Sequence, residues 1–155
     1  MKVLIVEDDQ NKLRQLVNFI KEKYPNTELS EKRSYQSGLR EISNVTYNLL
    51  ILDMSMPTFE ITPKESGGRP RAFAGKEVLS QMTRRHINVP VIIVTQFETF
   101  GDGENKKSLE ELRNELEELR DPKYKGTIYY SAGQDSWKTE LSSYIGKLME
   151  GERND

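Results

Sequence analysis

The chain predicts an α/β fold: a doubly wound, five-stranded parallel sheet with helices on both faces. Three observations carry this. Val3 to Val6, Leu49 to Leu52 and Val91 to Val94 are short apolar runs without alternation, the pattern of strands buried on both faces. Thr27 to Arg33 and Thr127 to Tyr130 are weaker runs, the latter carrying the β-favouring Thr-Ile-Tyr-Tyr. After each run the apolar period changes from that of a strand to that of a helix.

The helical segments follow in order. Leu13, Leu16, Val17 and Ile20 share one face of the first, and Leu39 and Ile42 mark the second. Val78, Leu79 and Met82 mark the third; Leu109, Leu112, Leu116 and Leu119 the fourth; Trp137, Leu141, Ile145 and Leu148 the fifth. Alternating strands and helices favour parallel strands joined by right-handed crossovers, and five units suit the flavodoxin-like (βα)5 order 2-1-3-4-5. Pro57 to Gly75, with Pro63, Pro70 and the pair Gly67-Gly68, reads as a long loop after the third strand. Gln96 to Asn105 reads as a second long loop, after the fourth. Residues 1–150 form one domain on this reading, and 151–155 a polar tail.

Composition narrows the function. The 155 residues contain no cysteine, so disulfides, thiolate metal sites and a cysteine nucleophile are excluded. Twenty-three basic against twenty-five acidic residues give a net charge of −2 without a basic block, which argues against nucleic acid as a partner. No apolar stretch approaches a membrane span, so a soluble, cytoplasmic protein without a membrane partner is expected.

In doubly wound sheets ligands bind beyond the carboxyl ends of the strands. Glu7, Asp8 and Asp9 follow the first strand, Asp53 ends the third and Thr95 ends the fourth. Carboxylates gathered at one edge repel one another, and an oxygen-rich set free of sulfur and histidine suits a hard cation such as Mg²⁺. Acids after a strand also serve as helix N-caps. Asp9 reads as one, because Gln10 opens a helical pattern.

VLIVEDD, LLILDMSMP and VPVIIVT, in this order and on these elements, resemble the receiver domain of bacterial two-component systems. Asp-x-x-Met-Pro after an apolar strand is the most specific piece. The resemblance implies a stand-alone response regulator in phosphorelay signalling, not an enzyme beyond its own phosphorylation and dephosphorylation. Asp53 would accept a phosphoryl group from a histidine kinase or phosphotransfer protein. Asp8, Asp53 and the backbone carbonyl of Ser55 would bind Mg²⁺, with Glu7 acting through water. Thr95 would sense the phosphoryl group. The fourth helix, fifth strand and fifth helix would present a face to a downstream protein or to a second copy in a homodimer.

The departures are equally specific. Receivers typically carry Lys-Pro at the end of the fifth strand, where this chain has Tyr130 or Ser131, depending on register, and no proline. Loss of that charge-assisted contact is worth about 1.5 to 3 kcal/mol. Lys64, Arg69 and Arg71, in the loop beside the pocket, are candidate substitutes. Gln96 stands where the family has a small residue and would narrow access to Asp53. These departures support an alternative, a pseudo-receiver acting as an interaction module without phosphorylation. A phosphohydrolase is disfavoured because Ser55 stands where a second aspartate would serve as general acid. A Rossmann nucleotide site is disfavoured because EDDQ, not a glycine-rich turn, follows the first strand.

Overall fold

The computed structural model describes residues 1–154. Its central sheet is built from β1 (Lys2–Val6), β2 (Glu28–Lys32), β3 (Leu49–Leu52), β6 (Val91–Thr95) and β9 (Tyr124–Tyr129). They run parallel in the order β2-β1-β3-β6-β9, the doubly wound order expected from the sequence. Five helices cover it: α1 (Gln10–Lys23), α2 (Tyr35–Asn44), α3 (Ala74–Arg84), α4 (Leu109–Glu118) and α5 (Ser136–Asn154).

The apolar runs divide by parity into two cores, as alternation of side chains across a pleated strand requires. Val3, Ile5, Leu49, Ile51, Ile92, Val94 and Ile128 meet Leu13, Leu16 and Ile20 of α1 and Trp137, Leu141 and Ile145 of α5. Leu4, Val6, Leu50, Leu52, Val91 and Ile93 meet α2, α3 and α4 on the other face. β2 lies at the sheet edge and is only partly buried, which explains its weak apolar signal.

Both long connections contain short strands. β4 (Met56–Pro57) pairs antiparallel with β5 (Pro70–Arg71), pinching the loop after β3 at its base. β7 (Thr99–Phe100) pairs with β8 (Lys107–Ser108) and closes the loop after β6 in the same way. β9 starts earlier than the sequence suggests, at Tyr124, with a register shift beside Val91. Leu109 is half-buried and Leu112 and Leu116 are buried on α4, whereas Leu119, at its C-cap, is 61% exposed. α5 runs through residues 151–154 of the expected tail, and Asp155 lies outside the described residues.

Helix starts follow from local chemistry. Asp9, Ser34 and Ser108 are N-caps whose side chains accept from the backbone N–H of Lys12, Ser37 and Glu111. The start of α3 has no such cap and depends on packing: a Cβ at Gly75 would stand 2.9 Å from the Asp53 carbonyl oxygen and 3.1 Å from Met54 Cα. Glycine lets α3 press against the strand end that carries Asp53. Gly75→Ala is therefore expected to lower stability by about 1 to 3 kcal/mol, read as a shift in the urea midpoint with an unchanged slope.

Candidate functional site: an acidic pocket with an internal lysine

Glu7 leaves β1 and Asp53 leaves β3, and backbone bonds set both positions. The Glu7 N–H donates to the Lys32 carbonyl at 3.0 Å, and the Asp53 N–H to that of Val6 at 3.1 Å. Their side chains, with that of Asp8, converge so that one carboxylate oxygen from each lies within 4.8 Å of the others. Glu7 and Asp53 are buried and Asp8 is half-buried. Asp53 Oδ1 accepts from the Met54 N–H at 2.7 Å, and Glu7 Oε2 from the Asp9 N–H at 3.0 Å.

The sequence reading missed the group at the centre of this pocket, Lys12 of α1. It is fully buried. Its ammonium lies 2.5 Å from Glu7 Oε1 and 3.5 Å from Asp53 Oδ2, and donates to the Val94 carbonyl at 2.5 Å. The available signal was its spacing, four residues before Leu16 and eight before Ile20, on the apolar face of α1.

Charge is not balanced by this lysine. Three carboxylates against one ammonium leave a formal excess of two negative charges. Burial, and secondarily Asp53, push the Glu7 carboxyl up to about 8 against the opposing pull of Lys12. Burial also raises Asp8, again with Asp53 contributing. Glu7 Oε1 has the close ion-pair contact but no well-directed hydrogen bond. An oxygen-only donor set with surplus negative charge and an incompletely satisfied carboxylate fits a hard divalent ion.

Thr95 and Gln96 stand at the edge of this core. Thr95 is buried at the end of β6, its Oγ1 accepting from the Phe97 N–H at 3.4 Å. Gln96 Nε2 donates to Asp9 Oδ2 at 3.2 Å, which ties it to the rim. A cavity of about 360 Å³ opens there, lined by Asp8, Ser55, Ile61, Gly68, Gln96 and Phe97 among others. A larger cavity of about 780 Å³ lies between α3 and the end of α4 and contains none of the clustered acids.

Of the two positions considered for the strand-end lysine, Tyr130 is the one that reaches the pocket. Its N–H donates to the Thr95 carbonyl at 2.8 Å, and its ring centroid is 5.9 Å from the Lys12 ammonium. Ser131 is half-buried beyond it. Of the loop cations, Lys64 and Arg69 are exposed. Arg71 is paired with Glu77 at 2.8 Å and stacked on Tyr35 at 4.3 Å, and its Nε donates to Thr58. The cation that the fold brings to the acids comes from α1.

A family model described as "Response regulator receiver domain" matches residues 3–110. A protein of Enterobacter cloacae (strain JD6301), Detocs response regulatory protein DtcB, is 33% identical over 150 residues, spanning 96% of this chain and all of that protein. Among solved structures, a CheY-like receiver domain protein from Methanospirillum hungatei JF-1 superposes with a TM-score of 0.63 at 21% identity, covering 99% and 98% of the two chains. The response regulator TrrA from Thermotoga maritima, solved with Mg²⁺-BeF, gives 0.60 at 18%, covering 95% and 97%.

The Tyr130 hydroxyl is buried without a hydrogen-bond partner among the described residues. Tyr130→Phe removes an unsatisfied group and keeps the ring, so stability is expected to be unchanged or to rise by up to about 1 kcal/mol. Urea denaturation measures this.

Proposed function

The chain belongs to the response regulator receiver domain family, and from that premise we propose that it is a phosphoacceptor in a phosphorelay, with Asp53 as the accepting residue. The convergence of buried Glu7 and Asp53 with half-buried Asp8 in one cluster carries this reading. The nucleophile is a carboxylate oxygen of Asp53. It attacks the phosphorus of a phosphohistidine on a partner kinase or phosphotransfer protein, the P–N bond breaks as the O–P bond forms, and an acyl phosphate results.

Asp8, Asp53 and the Ser55 carbonyl would hold Mg²⁺, with Glu7 acting through water. Bound there, the ion supplies positive charge against the phosphoryl oxygens. The chain's own residues do the positioning. Met54 N–H fixes one oxygen of Asp53, Gln96 shapes the entrance from its tie to Asp9, and Thr95 offers a hydroxyl from the end of the adjacent strand. The output runs through a partner protein. α4, β9 and α5 form the proposed docking face, where Tyr129 is partly exposed, and a homodimer would use the same face. No helix among the described residues is long and apolar enough to cross a membrane, in keeping with a cytoplasmic site of action.

A second reading, an interaction module that does not switch by phosphate, is supported by the residues that follow the last strand: Tyr130 and Ser131 offer no cation at the position where the family carries lysine. A beryllofluoride titration with Mg²⁺ separates the two. Saturable binding abolished by Asp53→Asn supports the phosphoacceptor, and absence of binding supports the module.

Two outcomes are expected for the phosphoacceptor. Acetyl phosphate with Mg²⁺ gives a single phosphoryl adduct by intact mass, lost in Asp53→Asn. Mg²⁺ at ten times its Kd stabilises the protein by about 1.4 kcal/mol, seen as a rise in Tm that Asp53→Asn largely removes.

A further inference from the structure

We propose that Lys12, from the first turn of α1, is the cation that contacts the phosphoryl group on Asp53. The inference rests on the phosphoacceptor reading and names the residue that replaces the strand-end lysine. Lysine is almost never fully buried unless paired, and removing an ammonium from water costs several kcal/mol. Lys12 is at 0% exposure, so its place in the interior demands strong partners. They are the Val94 carbonyl, which accepts a hydrogen bond from the ammonium, and the carboxylates of Glu7 and Asp53, which face it as ion-pair contacts.

The side chain is held from its root. The Lys12 N–H donates to the N-cap Asp9 at 2.9 Å, and Leu13 and Leu16 beside it are buried in the α1 core. Its stem therefore has a fixed origin. From the opposite side the Tyr130 ring, packed 5.2 Å from Trp137, faces the ammonium. The aromatic pair fills the strand end from which a lysine would otherwise arrive. Among the nearby cations, Arg33 donates to the Asp8 carbonyl and Arg71 is engaged by Glu77, so neither duplicates the position of Lys12.

Without a phosphoryl group the ammonium is shared unequally, nearer to Glu7 than to Asp53. Phosphorylation adds oxygens to Asp53, the more distant partner. Lys12 then exchanges part of its contact with Glu7 for a phosphoryl oxygen and keeps all its protons. Charge is redistributed and no atom is transferred to or from the lysine. The same location makes the ammonium a competitor of any divalent ion in the pocket.

These two roles predict opposite effects of one substitution. Lys12→Met keeps the length of the stem without charge, and Lys12→Gln keeps a donor. In both, adduct formation from acetyl phosphate and Mg²⁺, followed by intact mass, is expected to slow or lose lifetime by about ten- to hundredfold. Mg²⁺ binding by calorimetry, with no phosphodonor present, is expected to tighten by about tenfold or more as a neighbouring positive charge disappears. Weakening of both would mean that Lys12 only holds the shape of the pocket and would overturn the proposal. So would adduct formed at the wild-type rate and with wild-type lifetime in either variant, or a loss confined to the Arg69→Ala, Arg71→Ala double variant. Wild-type protein that takes no phosphoryl group overturns the phosphoacceptor reading itself, an outcome distinct from failure of Lys12 alone.

Discussion

Confinement of like charge at the carboxyl edge of a parallel sheet is the constraint around which the rest of the molecule is arranged. Parallel pairing of β1 with β3 places Val6 opposite Leu52, so the residues that follow, Glu7 and Asp53, emerge side by side. Their mutual repulsion in a low-dielectric surrounding must be offset locally. α1 supplies the offset by turning a lysine inward from a position that packing would normally give to an apolar residue. The arrangement is costly in isolation: an ion pair in the interior commonly does no better than an apolar core. On the proposed function, the pair would serve a pocket whose occupant changes the charge.

The fold was largely legible because its signals are local. Runs such as Leu49 to Leu52 are buried on both faces and therefore lack alternation, and helix starts such as Asp9 and Ser108 are visible as caps. The acids were legible because the β1 and β3 runs end on them. Two kinds of feature were hidden. Pairs as short as Met56–Pro57 with Pro70–Arg71 depend on a two-residue ladder with no periodicity to detect. Lys12 was hidden because a lysine in a helix reads as solvated. Its four-residue spacing to Leu16 signals burial only when one already asks what charge the acids need.

Lys64, Arg69 and Arg71 follow Asp53 closely in sequence, yet side-chain commitments decide which cation reaches the acids in space. Arg71 meets Glu77 and the Tyr35 ring before it meets the pocket, and its segment is pinned by the β4–β5 pair. That loop instead contributes walls: Ile61 and Gly68 line the entrance together with Phe97 from the next connection. Ile61 and Phe97 are both substantially exposed, which gives the rim above the acids an apolar character unlike its charged interior.

The Tyr130 ring lies between the lysine and Trp137, tilted at 52° to the indole. Trp137 is the sole tryptophan, and it is separated from the ammonium by a single aromatic ring. Indole emission responds to nearby electric fields, so the molecule contains its own optical gauge of the pocket's charge. Events at the acids should be visible as a change in indole emission of unlabelled protein, excited at the red edge where the seven tyrosines do not absorb.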